Sequence, residues 1–308
     1  MGYKRISAID IDTGEVYGNA LLGENEKVIL KTENEKQIDA FKKKNKEIEE
    51  IKEFIQCNEG AFLHLIYRYN EPILKMLQSK MEGNKSNIHI VRFMVLASYT
   101  TFGGKLFDNN RNRIKHSNLL KIWDTTSRNS MDKTYKLLVE CNYVYEENGY
   151  LMINEDIVIK GAMEGFDKLK KDDRDITYTR IFAKNIQDMY YSTEPRQRKQ
   201  LAHLFKLLPY VNHVHNVVCE NPRETNHTKL KMLNWTEVAK ICGEDENNVT
   251  RFKNTMLKLK VYNRPVIGQF TSGDSQHGYK ICVNPKVYYA GANIEDLKAL
   301  YRLFEMGN

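Results

Sequence analysis

The chain has 308 residues, 41% of them hydrophobic and 28% charged, which gives room for two modest cores and excludes a disordered chain. No apolar run approaches the length of a membrane helix, so no membrane partner is expected. The formal net charge of +7 fits a nucleic-acid partner without requiring one.

Residues 1–23 read as an extended lead, with Ile9 to Val16 alternating apolar and polar residues around Asp12-Thr13-Gly14. The opening Met1-Gly2-Tyr3-Lys4-Arg5 carries no apolar signal core, so a cytoplasmic location is the expectation. Between Glu24 and Gln56, Ile38, Phe41, Ile48, Ile51 and Ile55 recur at helical spacing and predict an amphipathic helix. That stripe either packs on its own domain or serves self-association, as a dimer through residues 38–55. Residues 62–77 and 88–102 are two further apolar helical runs.

A four-part unit follows. It has a short helix at 116–124, a turn at Thr125-Thr126-Ser127, and a helix at 130–140 with Met131, Tyr135 and Leu138 inward. Ser127 or Asn129 would cap the second helix. Two strands, 143–145 and 150–153, flank Glu146-Glu147-Asn148-Gly149. Helix, turn, helix and β-hairpin in this order is the plan of a winged helix. Residues 161–175 are charged and poor in large apolar side chains, which marks a boundary.

The second half repeats the plan, with helices at 178–191 and 196–208, then 236–242, a turn at Gly243-Glu244-Asp245-Glu246, and 248–258. Strands at 261–269 and 279–283 meet at Ser272-Gly273-Asp274. Lys121-Ile122 falls on Lys240-Ile241, and Met131 and Leu138 fall on Val249 and Met256. Gly149-Tyr150, Asn154 and Gly161-Ala162 fall on Gly278-Tyr279, Asn284 and Gly291-Ala292. Asn154 and Asn284 would each cap the turn after the last strand. The expected fold is mostly α, of the α+β class, with two tandem winged helix-turn-helix domains plus an N-terminal amphipathic helix. Its divisions are an N-terminal extension at 1–59, domain 1 at 60–162, a linker at 163–176 and domain 2 at 177–308.

Asp12-Thr13-Gly14-Glu15-Val16, Gly60-Ala61-Phe62, Ser130-Met131 with Lys136-Leu137-Leu138, and Gly149 to Asn154 closing at Lys160-Gly161 carry a resemblance. Over residues 8–162 the chain resembles the RepL-type replication proteins of Firmicute plasmids and related helix-turn-helix proteins of Firmicute phages. That family is single-domain, so the second unit departs from its pattern. The resemblance implies DNA binding in plasmid or phage replication, with origin binding as the role and regulation of transcription at a promoter or operator as its rival.

A helix-turn-helix reads the major groove with the N-terminal turns of its second helix, where Arg pairs with guanine and Asn with adenine. The outward residues are Arg128, Asn129, Ser130, Lys133 and Lys136 in the first unit, and Asn247, Asn248, Thr250, Arg251 and Asn254 in the second. A solvated helix face is the plainer reading of both sets. Phosphate contacts are expected from Lys105, Arg111, Arg113 and Lys115, since residues 105–136 hold eight Lys and Arg against three Asp. Arg223, Lys229 and Lys231 would do the same around the second unit, with Arg264 and Lys280 in its wing. Glu146 and Glu147 burden the first wing. Thr271, Ser272, Gln276 and His277 make the second the better candidate for groove contact. The partner so read is double-stranded DNA.

Chemistry has weaker support. His213-Val214-His215 is the His-apolar-His pattern with which rolling-circle initiators hold a metal on a strand, and would imply metal-dependent nicking with a tyrosine nucleophile such as Tyr190 or Tyr288. No acidic ligand is placed beside it, and His213, His215, Cys219 and His227 fit no common zinc spacing. His89-Ile90-Val91-Arg92 echoes a tyrosine-recombinase motif whose other members are missing, and no phosphate-binding loop occurs. Cys57, Cys141, Cys219, Cys242 and Cys282 form no C-x-x-C pair and read as small core fillers. The expectation is a protein with no enzymatic activity, cofactor or metal.

Overall fold

The computed structural model describes residues 4–9, 16–22, 38, 42, 62–69, 71–81, 83–160, 164–273, 275–289 and 294–306. They fall into two compact units, 1–47 and 48–308. In the first, β1 (Lys4–Ile9) pairs antiparallel with β2 (Val16–Leu22), from Lys4 opposite Leu22 to Ile9 opposite Val16. The Asp12-Thr13-Gly14 turn lies outside the described residues, as does nearly all of the 38–55 stripe read as a dimer contact. Within that stripe Ile38 and Lys42 are helical, and Ile38 is exposed.

The second unit is mixed helix and sheet. Its first element corrects the sequence reading: residues 62–68 form β3 (Phe62–Arg68), not the start of a helix. Phe-Leu-His-Leu-Ile-Tyr is a short apolar run, which periodicity alone does not assign. Long-range pairing decides it, because β3 is central in a three-stranded sheet, with Leu63, Leu65 and Ile66 buried. Two helices follow, α1 (Lys75–Ser79) and α2 (Asn87–Ala97). α2 is buried almost all round, as suits a central helix. It ends before Gly103 and Gly104, both at positive φ. A Cβ on Gly104 would meet the Ile153 carbonyl oxygen at 2.2 Å, so the backbone approach there admits only glycine. Gly104→Ala should destabilise the fold by about 3 kcal/mol, combining positive-φ strain with displacement of the neighbouring strand. Gly103→Ala, with open space around its Cβ position, isolates the conformational part; equal urea midpoints for the two variants would refute the steric account.

Short α3 (Leu119–Ile122) leads through a turn to α4 (Arg128–Glu140). Then β4 (Val144–Glu147) and β5 (Tyr150–Ile153) form a hairpin over Asn148-Gly149, both at positive φ as a tight two-residue turn requires. Ile114 adds an extended segment to it, receiving the Leu151 N–H on its carbonyl. β6 (Val158–Ile159) returns to pair with β3.

Residues 163–176, expected as a linker, hold α5 (Glu164–Asp172) and the first residue of β7 (Ile176–Phe182). Leu169 of α5 packs against Ile66 and Ile159, as do Ile176 and Tyr178 of β7. β7 also replaces the expected helix start at 178. It pairs antiparallel with β3 along its whole length, from Phe62 opposite Phe182 to Arg68 opposite Ile176. One apolar core runs from Leu63 to Tyr288, so the halves read as separate domains share one compact unit.

The remaining order is α6 (Ala183–Ser192), α7 (Leu201–Leu207), an extended stretch at 217–219, α8 (Trp235–Ile241) and α9 (Val249–Leu257). The expected strand at 261–269 is broken in two. β8 (Lys260–Val261) and β9 (Arg264–Pro265) make a tiny hairpin over Tyr262 and Asn263, both at positive φ. The main hairpin is β10 (Ile267–Thr271) with β11 (Tyr279–Val283), followed by α10 (Ile294–Met306). Val218 donates its N–H to the Ile281 carbonyl of β11, and Val283 donates its own to the Asn216 carbonyl, so an extended segment joins this hairpin as Ile114 joins the first.

The two asparagines behave alike. Asn154 donates to the Asn142 carbonyl and accepts from the Asp156 N–H; Asn284 donates to the Pro265 carbonyl and accepts from the Lys286 N–H. Cys141, Cys219, Cys242 and Cys282 are buried and unbridged, and burial pushes the Cys219 and Cys282 thiols up to about 12.

Candidate nucleic-acid interface

α4 begins at Ser127, whose hydroxyl accepts the Ser130 N–H at 3.2 Å. Met131, Thr134 and Leu138 face inward, which leaves Arg128, Asn129, Lys133 and Lys136 exposed on the opposite side. A threonine at an inward position needs polar company. α2 supplies it. Arg92 donates to Thr134 Oγ1 at 2.7 Å and to the Ser130 carbonyl at 2.8 Å, and His89 Nδ1 lies 2.9 Å from the same hydroxyl. The Arg92 guanidinium also lies over the Trp123 ring, whose Nε1–H is bonded to the Arg92 carbonyl. His89 and Arg92, the pair that echoed a recombinase, thus seat α4. Sequence reasoning missed this role; the available signal was a histidine and an arginine three residues apart in an otherwise apolar helix.

α9 is set up by a capping box at the start of α8, with Asn234 and Glu237 exchanging bonds, and by Gly243 at positive φ in the turn. Phe252 and Met256 are buried, and Asn248, Thr250, Arg251 and Asn254 are exposed. Asn247 is exposed too, but its amide is bonded to Asp245 at 2.8 Å. Phe252 occupies the place that the Met131–Val249 match assigns to Thr134. His203 of α7 meets it edge-on, at 5.3 Å between ring centroids. Each first helix therefore sets a buried histidine against the same position of the second. Arg251, Asn248 and Thr255 line a polar cleft with Asn84, Lys199 and His203.

The basic lead is less free than its charge suggests. Arg111 is exposed at the tip of a turn held by the Asp108 carboxylate, with φ of 63°. Arg113 lies 4.4 Å over the Tyr150 ring of the first hairpin and also faces Phe107, so its guanidinium braces the hairpin. Lys115 reaches the same ring at 5.2 Å and stays exposed. Glu146 of the hairpin faces the Tyr135 hydroxyl of α4 at 3.5 Å.

In the second half, Arg264, expected in the wing, is not in the β10–β11 hairpin. It sits in the β8–β9 hairpin, which the Tyr262 N–H fixes to Asp188 of α6. Lys280 Nζ lies 2.7 Å from His227 Nε2. The tip of β10–β11 folds back, placing Gln276 and His277 against the Met232 carbonyl, while Thr271 and Gln276 remain exposed. His213 and His215 lie in the turn between Val211 and Val218, organised by the Asn212 side chain, and not on a strand. Among the described residues no three His, Cys, Asp or Glu side chains come together as metal ligands. None of the helices there is long and apolar enough to cross a membrane.

Comparisons with protein-family models, curated proteins and solved structures found no match for this chain.

Proposed function

We propose that this protein binds double-stranded DNA in a sequence-specific manner through two winged helix-turn-helix units, with α4 and α9 as the reading helices. The observation that carries the reading is the duplicated order of helix, extended segment, helix, helix and hairpin. In both copies the exposed side of the last helix bears long cationic or amide side chains. Such side chains suit base edges at α4 (Arg128, Asn129, Lys133, Lys136) and at α9 (Asn248, Thr250, Arg251, Asn254). Arg111 and Lys115 suit phosphates, while Arg113 braces the first hairpin and the Asn247 amide is taken up by Asp245.

The likeness of residues 8–162 to RepL-type proteins makes a replication origin of a plasmid or phage the target we favour, without catalysis by this chain. Footprints on the protein's own replicon test this, since protection over iterated origin repeats supports initiation and protection confined to a promoter makes it a regulator. Arg251→Ala should weaken binding to the preferred duplex by about 10- to 100-fold, as loss of a two-pronged base contact does, with little change for unrelated DNA. Lys133→Ala should behave likewise. Unchanged affinity in both variants would remove α4 and α9 from the interface and favour a protein-binding role.

A further inference from the structure

His89-x-x-Arg92 in α2 has a counterpart in His203-x-x-Lys206 of α7, and both pairs are buried. The shift that lays the first pair on the second also lays Leu65 on Thr179. Those two residues sit directly opposite each other in the β3–β7 ladder. Directly opposed residues of an antiparallel pair are related by a local two-fold axis. Since the opposed residues are here each other's equivalents, the axis relates the two halves of the unit. α2 and α7, equivalent helices, pack against one another as such an axis demands.

The same shift lays Asn84 on Arg198, and these two perform reciprocal tasks. Arg198, from the second half and 4% exposed, donates to the Asp124 carboxylate at 2.7 Å and to the Asp124 carbonyl. Asp124 is the positive-φ residue of the turn before α4. Asn84, from the first half, donates to the carbonyl of Gly243, the positive-φ residue of the turn before α9, and to Glu244. Lys206 adds bonds to Asn84 and to the Cys242 carbonyl. Each half therefore grips the helix-turn-helix turn of the other.

We infer that one chain presents α4 and α9 as a rigid pseudo-two-fold pair. Its DNA target then holds two half-sites of unlike sequence, inverted in orientation and fixed in spacing, and Asn84 and Arg198 position the reading helix of the opposite half. The inference rests on the DNA reading proposed above. Two elements related by a two-fold axis that grip one duplex equivalently place that axis across the duplex, which inverts the half-sites. They differ in sequence because the exposed residues of α4 and α9 differ.

The test starts from duplexes enriched from a randomised pool by the full chain. Two inverted blocks are expected, and five extra base pairs between them, about half a helical turn, should cost about 100-fold in affinity because both helices no longer engage together. Arg251→Ala and Lys133→Ala assign a block to each helix. Asn84→Ala should then weaken, about fivefold, only the block assigned to Arg251. Arg198→Lys, which keeps the charge, should weaken only the block assigned to Lys133. A fold defect would weaken both blocks, and thermal unfolding of each variant checks for one. Tolerance of the insertion, a single block, or losses in the same half as the substitution would overturn the inference while leaving DNA binding intact. Failure to enrich any sequence would overturn the DNA reading, and the inference with it.

Discussion

Raising monovalent salt from about 50 to 200 mM should lower the affinity for duplex DNA by about a thousandfold, the effect of releasing counterions from roughly six phosphates. The cations expected to be responsible are those the fold leaves exposed outside the reading helices: Lys105, Arg111 and Lys115 ahead of α3, and Arg223, Lys229 and Lys231 ahead of α8. Arg113 belongs to a different class. With its guanidinium stacked on Tyr150, its removal should loosen the hairpin more than it flattens the salt slope. Lys115→Ala should reduce the slope of log affinity against log salt by about one; Arg113→Met should reduce it less while lowering the melting temperature more. Fluorescence anisotropy at five salt concentrations measures both slopes. A wild-type slope shallower than two would leave too few phosphate contacts for the proposed interface.

The two halves share a scaffold and differ in surface, which points to unequal roles. α4 shows Arg128, Lys133 and Lys136 with a neighbouring acidic hairpin, whereas α9 shows Arg251 among Asn248, Thr250 and Asn254. Charge suits phosphate anchoring and neutral amides suit adenine. The second half is therefore the stronger candidate for base discrimination, and the first for electrostatic grip.

The helices that carry the proposed contacts were legible because capping and apolar spacing act locally. Ser127 before α4, Gly149-Tyr150 in the first hairpin and the asparagine after each main hairpin could be read from neighbours in the chain. β3 and β7 could not. Phe62 to Arg68 meets its strand partners, Val158–Ile159 and Ile176–Phe182, only about a hundred residues further along the chain, and a short apolar run fits a helix as well. The supposed linker failed for the same reason, since its order depends on β7 being pinned to β3. Side-chain commitments were also invisible: nothing local indicates that Arg113 braces an aromatic ring or that Asn247 is bonded to Asp245. What the pattern did contain, unread, was the recurrence of a buried histidine and cation in α2 and α7.

Those buried histidines carry the second large effect: acid should unfold the protein cooperatively near pH 5. His64, His89 and His203 are each 4 to 5% exposed, and burial holds each of them down to about 4. Arg180 adds to this at His64, Arg92 and Lys133 at His89, and Lys206 at His203. In the unfolded chain each titrates near 6.5. Between pH 6.5 and 4 the unfolded state thus binds protons that the native state refuses, so stability is full above 6.5 and falls as the pH drops through that window. With nearly three protons taken up on unfolding, the slope reaches about 4 kcal/mol per pH unit around pH 5. Over the window that is on the order of 10 kcal/mol, comparable to the whole stability of a domain. His64 sits edge-on to Phe62 and Tyr178, so His64→Phe should be accommodated there and cut the slope by about a third. DNA binding should be lost together with the fold and not before it, because His89 stays neutral beside Arg92 under the seat of α4 until the chain unfolds. Urea midpoints from pH 8 to 4.5 measure the proton uptake. An uptake below one proton would show that these histidines are not held neutral by the fold.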